Sequence, residues 1–144
     1  MVAQPIPEHC MSVLVVDTDT TQRESMKVVL GERYRLTFVA GMNEALQALR
    51  MTPPDLLISE VDLADGTGLE LCAHIRTLPG GRRLPIMLVT SRSATADKVA
   101  GFQAGADDYV VKPVDSRLFS ARLRLLFRLK GIERPRDLQL PQEA

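Results

Sequence analysis

Histidine and cysteine are scarce in this chain of 144 residues, with two of each. His9 and His74 lie far apart, and Cys10 and Cys72 have no second cysteine at metal-binding spacing. That argues against a zinc centre and against histidine-driven catalysis. Two isolated cysteines suit reduced thiols in a cytoplasmic protein. Net charge is missing as well. Eighteen basic and eighteen acidic side chains cancel, so the whole chain has no electrostatic pull toward nucleic acid or an anionic membrane. No apolar run approaches the ~18 residues needed to span a bilayer. Met1 to Met11 lacks the basic segment and apolar stretch of a secretory signal. Internal repeats and low-complexity tracts are absent too. What remains is an ordinary globular composition, 45% apolar and 25% charged, at a length that suits one domain with a real core.

Apolar runs and breakers alternate along that domain. Ser12-Val13-Leu14-Val15-Val16 is a strand ending at Asp17-Thr18-Asp19, after which Thr20 or Thr21 caps a helix closed by Gly31. Arg35 to Ala40 alternates like an edge strand. Met42 to Met51 is helical and stops at Pro53-Pro54. Leu56-Leu57-Ile58 is a buried strand running into Glu60, and a helix with Leu71, Cys72, Ile75 and Leu78 follows. Pro85 to Val89 is the fourth strand, ending at Thr90-Ser91. A helix from Ala94 to Ala104 carries Val99 and Phe102. Asp108 to Lys112 is the fifth strand, and Asp115 or Ser116 caps a last helix running to about Lys130. Five strands alternating with five helices predict an α/β fold with one parallel sheet covered on both faces. The expected organisation is an N-terminal arm at 1–11, one domain at 12–130, and a tail or linker at 131–144.

In such a sheet, ligands sit at the carboxyl ends of the strands. Those ends carry Asp17, Thr18 and Asp19, then Glu60, then Thr90 and Ser91, and finally Lys112. Carboxylates that hold a hard cation, beside a hydroxyl and an ammonium that meet phosphoryl oxygens, make a site suited to a phosphoryl group.

Val-Leu-Val-Val-Asp17, Pro54-Asp55-Leu-Leu-Ile, Leu63-Ala-Asp-Gly-Thr-Gly-Leu-Glu-Leu71, Pro85-Ile-Met-Leu-Val-Thr90 and Gly105-Ala-Asp-Asp-Tyr-Val-Val-Lys-Pro113 resemble the receiver domains of two-component response regulators. The likeness covers about Ser12 to Lys130. It implies a flavodoxin-like (βα)5 fold with sheet order 2-1-3-4-5, a cis Lys112–Pro113 bond, and an acceptor carboxylate phosphorylated by a histidine kinase. It also implies a switch pair, Thr90 and Tyr109, that reports to the face of helix 4, strand 5 and helix 5.

Departures from the family pattern shape the functional expectation. Glu60 stands where the family has its phosphoacceptor aspartate. Thr18 stands where it has a second acidic metal ligand, and Ala64 replaces a loop proline. A glutamate is one methylene longer, which displaces an in-line nucleophile by roughly an ångström, a misplacement that can cost ~10²-fold in rate. Its carboxylate could instead reach Lys112 or Thr90. The expectation is a non-enzymatic pseudo-receiver with pocket residues Asp17, Thr18, Thr90, Ser91 and Lys112. Magnesium binding at Asp17 and Asp62 is expected to be weak or absent because Thr18 is no carboxylate. The alternative is a receiver phosphorylated on Glu60, Asp62 or Asp19. A third reading comes from Asp17-Thr18-Asp19-Thr20-Thr21, which is similar to the Asp-x-Asp-x-Thr signature of haloacid-dehalogenase-type phosphatases. There Thr90 would be the second motif and Asp107-Asp108 the metal-binding acids, although Lys112 follows those acids where that family has its lysine before them.

The last helix spreads its apolar residues over about 240° of the wheel at 100° per residue, more than one sheet face needs. Phe119, Leu123 and Phe127 are the expected contact surface for a partner protein or a second copy. The resemblance extends to the receivers of winged-helix transcription factors, which dimerise through helix 4, strand 5 and helix 5. It implies cross-subunit pairing of Asp107 and Asp108 with Arg122 and Arg124. Leu118 replaces the usual acidic partner of Lys98. No DNA-binding element is present, and the tail from Pro135 to Ala144 reads equally as a linker to an output domain or as a natural end.

Overall fold

The computed structural model describes residues 11–131. The elements run β1 (Ser12–Val16), α1 (Thr20–Leu30), β2 (Arg35–Val39), α2 (Met42–Met51), β3 (Leu56–Ser59), β4 (Asp62–Leu63), β5 (Gly66–Thr67), α3 (Gly68–Thr77), β6 (Ile86–Thr90), α4 (Thr95–Gln103), β7 (Asp108–Val111) and α5 (Ser116–Leu129). Five strands form one parallel sheet in the order β2-β1-β3-β6-β7. This is the expected 2-1-3-4-5 arrangement, with the alternating strand β2 at an edge. The Lys112–Pro113 bond is cis, as expected. The small antiparallel ribbon β4–β5, pairing Asp62 with Thr67, was not foreseen; two-residue strands carry no periodicity to read.

Two apolar layers flank the sheet because successive strand residues point to opposite faces. Val13, Val15, Ile58 and Val89 pack with α1 and α5 on one side. Leu14, Val16, Leu57 and Leu88 pack with α2 and α3 on the other. Cys72 belongs to the second layer, and burial pushes its thiol up to about 11, which keeps it protonated and inert.

Two local expectations need correction. The cap of α1 is Asp19 rather than Thr20 or Thr21: its Oδ1 accepts the Thr21 and Gln22 amides at 2.8 and 3.3 Å. On α4, Val99 and Phe102 both stand about half exposed, and Gly101 is its buried residue. The contact surface expected from Phe119, Leu123 and Phe127 is the inward face of α5. All three are buried, whereas Leu118, Leu125 and Leu129 point outward. The arm and tail expectations fall largely outside the described residues.

Candidate functional site

At the carboxyl edge of the sheet, the ends of β1, β3 and β7 bring three charges together. β1 delivers Asp17, β3 delivers Glu60 one residue beyond its end, and β7 delivers Lys112. The Lys112 Nζ donates to Asp17 Oδ2 at 3.2 Å and to Glu60 Oε1 at 3.0 Å. All three side chains are nearly buried, with 11–12% of each exposed. The second Glu60 oxygen, Oε2, accepts the Val61 amide at 2.6 Å and more distantly the Asp62 amide at 3.4 Å. Asp17 Oδ1 accepts the Asp19 amide at 3.0 Å. Every carboxylate oxygen of this pair therefore has a donor within the chain.

Thr18 lines the cleft beside this cluster, but its hydroxyl is engaged elsewhere. Its hydroxyl donates to the Ala40 carbonyl at 2.6 Å and accepts the Ala64 amide at 3.0 Å. It thereby ties the loop after β1 to the loops after β2 and β4. Asp19 is occupied as the α1 cap. Arg23, on the first turn of α1, donates to the Asp17 carbonyl at 2.6 Å, which fixes the same loop from the other side.

Asp62 lines the same open cleft, with Asp17, Glu60, Ser91 and Lys112, but its carboxylate is engaged elsewhere. Arg92 Nε and Nη2 each donate to one Asp62 oxygen at 2.8 Å. Those hydrogen bonds hold the Asp62 carboxyl below the usual carboxylate range, and Asp62 in return holds the guanidinium in its charged form. Arg92 also approaches Asp97 at 3.7 Å. Sequence reasoning did not single out Arg92. It lies in a loop without periodicity, and only the spacing of two residues beyond Thr90 marked it.

Thr90 is buried beneath the cleft, its Oγ1 accepting the Arg92 amide at 3.3 Å, and Ser91 is exposed at the rim. Tyr109 is buried, and its hydroxyl donates to the Arg92 carbonyl at 2.9 Å. Burial, followed by the nearby Asp97 and Glu60 charges, raises its pKa. The ring lies against Gly101 of α4, where an added Cβ would come within 2.8 Å of Tyr109 Cδ2. One loop thus joins the cleft to the Tyr109 side of the sheet: Arg92 binds Asp62 by its side chain and Tyr109 by its backbone.

Magnesium is the ion the resemblance implies, and the donors as placed do not fit it. Asp17 faces an ammonium, Asp62 faces a guanidinium, and the Thr18 hydroxyl is hydrogen-bonded on both sides. No group of three or more carboxylate, histidine or cysteine side chains converges on a common point among the described residues. Magnesium is commonly held by one or two carboxylates, with water and phosphate oxygens completing its shell, but here each candidate carboxylate already faces a cation.

The remaining predicted residues sit away from the cleft. Asp107 lies at the opposite, amino-terminal edge of the sheet. Its Oδ2 accepts the Ile86 amide and an Arg76 hydrogen bond, both at 2.9 Å, while Lys130 Nζ lies 3.1 Å from Oδ1. Asp108 accepts Arg122 Nη1 at 2.8 and 2.9 Å. The carboxylates expected to pair across subunits are therefore satisfied within one chain, and only Arg124 of that set remains exposed without a partner among the described residues. The same placement overturns the phosphatase reading. Asp107 precedes β7, Asp108 begins it and Asp17 follows β1, so they occupy opposite ends of a parallel sheet and cannot share a metal.

Comparison with known proteins agrees with this geometry. The model of the response regulator receiver domain matches residues 13–124. The transcriptional regulatory protein AfsQ1 of Streptomyces coelicolor is 37% identical over 118 residues, 81% of this chain and 51% of that protein. The DNA-binding response regulator MtrA of Mycolicibacterium smegmatis is 35% identical over 117 residues, 81% of this chain and 50% of that protein. The chain thus spans about half the length of the curated relatives it matches. Among solved structures, a response regulator from Chloroflexus aurantiacus superposes with a TM-score of 0.79 at 35% identity, covering 82% of this chain and 98% of that one. The receiver domain of a histidine kinase from Syntrophus aciditrophicus gives 0.77 at 32% identity, covering 91% and 98%. A family match over residues 13–124, with a relative 37% identical across 81% of the chain, makes this protein a member of the response regulator receiver domain family.

Proposed function

We propose that this receiver domain has a degenerate phosphoacceptor site and works mainly as a phosphorylation-independent protein-interaction module of a two-component pathway. The observation that carries the reading is the Lys112 ammonium held between Asp17 and Glu60 at 3.2 and 3.0 Å. The site's own lysine already bridges the two carboxylates that would otherwise bind a cation and attack a phosphoryl group, and it offsets one of their two charges. Glu60 has donors on both oxygens, so an in-line attack would first have to break a charge-assisted hydrogen bond in a nearly buried place. Thr18 brings no carboxylate, so magnesium is held weakly or not at all.

The working surface in this reading is the face formed by α4, β7 and α5. Tyr109 already lies inward, fixed by the Arg92 carbonyl, so this face keeps one arrangement without phosphate. The domain performs no catalysis of its own and acts in the cytoplasm. Relatives of which the match covers only about half include proteins described as transcriptional and DNA-binding regulators. By analogy, an output domain of the full protein, rather than this charge-balanced domain, would contact DNA.

The test is incubation with acetyl phosphate and magnesium, followed by intact mass, with amide shifts recorded in beryllofluoride. The expected result is an unchanged mass and undisturbed signals at Glu60, Thr90 and Lys112. A gain of one phosphoryl group on Glu60, Asp62 or Asp19, or shifts spreading to Tyr109, would sink the proposal.

A further inference from the structure

The outward side of α5 repeats one dipeptide three times: Arg117-Leu118, Arg124-Leu125 and Arg128-Leu129, spaced seven and four residues apart. At about 100° per residue, each set of three falls within about 40° of a single line. The arginines and leucines therefore form two adjacent stripes. All six residues are exposed; the leucines retain 55%, 45% and 71% of their surface. Val99 and Phe102 of α4 are exposed as well.

The arginine stripe has no counter-charge. Arg117, Arg124 and Arg128 make no hydrogen bond or ion pair among the described residues. The acids of this region are already engaged: Asp97 near Arg92, Asp107 with Arg76 and Lys130, Asp108 with Arg122, and Asp115 as the α5 cap. On a chain whose formal charge is zero, this face carries an unbalanced positive line beside an apolar one.

We infer that this face binds an acidic amphipathic helix of another protein, with the partner's apolar stripe on Leu118, Leu125 and Leu129 and its carboxylates against Arg117, Arg124 and Arg128. The inference rests on the reading of the α4–β7–α5 face as a working surface without phosphate. Intervals of seven and four residues are those at which a second helix presents its own anchors. A second copy fits poorly, because two-fold docking sets the same patch against itself and would oppose arginine to arginine with no free carboxylate to answer it. A nucleic acid backbone has no use for the leucine stripe. A lipid surface is a weaker match, because the most apolar face of α5 is already buried against the sheet.

The probe is a fluorescent synthetic helix of about five turns with leucines on one face and glutamates beside them. Its control carries lysine in place of each glutamate. Anisotropy is measured on the full chain at low and high salt, with and without beryllofluoride and magnesium. The glutamate peptide is expected to bind without beryllofluoride, to weaken with salt, and to lose about tenfold in affinity when Arg124→Glu and Arg128→Glu are combined. Leu125→Asp should weaken it similarly, and Arg128→Ala in the same direction but less. Equal binding of the two peptides, or indifference to charge reversal, would overturn the inference. So would binding to anionic vesicles with none to peptide, or a chain dimer that the charge reversal abolishes. Peptide binding only with beryllofluoride would keep the acidic-helix surface and overturn the phosphate-independent reading. No peptide binding under either condition, with no phosphoryl adduct formed, would overturn the surface alone.

Discussion

Arg92 holds Asp62 through two parallel hydrogen bonds of 2.8 Å, while its own carbonyl accepts the Tyr109 hydroxyl. The pair thereby couples β4 to the loop after β6. It also has a pH signature. The folded Asp62 carboxyl titrates below its ordinary value near 3.8, so the unfolded chain binds more protons in the acid range and stability falls with pH there. The contribution is complete above about pH 5 and is lost as pH falls through the lowered value. Arg92→Ala should therefore lower the urea midpoint slightly at pH 7 and make little difference near pH 2. A deficit of the same size at both pH values would refute this.

Lys112 is a different case because the charges it joins are nearly buried. Removing one partner of a buried ion pair leaves uncompensated charge and costs about 3–5 kcal/mol. Lys112→Met should destabilise the domain on that scale. Adding Glu60→Gln to the same chain should recover part of the loss, since only one anion then remains. Urea denaturation of the two single variants, the double variant and the parent measures the coupling. Additive effects would show that the three side chains do not act as a unit.

If the longer Glu60 and the neutral Thr18 keep phosphate out, reversing both should let it in. The double variant Thr18→Asp with Glu60→Asp is expected to gain one phosphoryl group from acetyl phosphate in a magnesium-dependent manner, where the parent gains none. Either substitution alone should give less. Failure of the double variant to react, with its fold intact by circular dichroism, would place the block elsewhere, with Arg92 on Asp62 the next group to remove.

Gly101 is the position on α4 that admits the Tyr109 ring. A methyl group there would stand 2.8 Å from Cδ2 and 3.1 Å from Cε2, too close for a ring that is itself buried. Gly101→Ala should cost about 1–3 kcal/mol by overpacking. It should also expose the phenol and bring its raised pKa back toward 10, its ordinary value. Spectrophotometric titration of the tyrosines, with Tyr109→Phe to identify the signal, reads the change. An unmoved titration would mean that the ring does not depend on this contact.

Much of the fold was legible because its signals are local. The apolar strand runs, the breakers between them and the carboxyl-edge residues follow from composition and spacing, and the site did gather Asp17, Glu60 and Lys112. What was not legible depends on loop paths. Arg92 reaches Asp62 across thirty positions of sequence, and Arg76 binds the Gly81, Leu84 and Gly105 carbonyls as well as Asp107. Neither network has a periodic trace. The orientation of α5 failed for another reason: an apolar arc of about 240° does not say which part faces the sheet. The line of Arg117, Arg124 and Arg128 held that information, since Leu126 and Phe119 lie opposite it on the wheel and both are buried.

That orientation gives α5 its own test. Leu123 is 0% exposed in the layer with Phe119 and Phe127, while Leu125 retains 45% of its surface. A carboxylate at position 123 would have no partner in an apolar layer, and burying it unpaired costs several kcal/mol. Leu123→Asp should therefore unfold the domain or leave it without a cooperative transition. Leu125→Asp, two residues on, puts the same carboxylate in water beside Arg124 and Arg128 and should shift the melting temperature by only a few degrees. Thermal denaturation of the two variants decides between the inward and outward assignments, because a helix turned the other way would reverse their order.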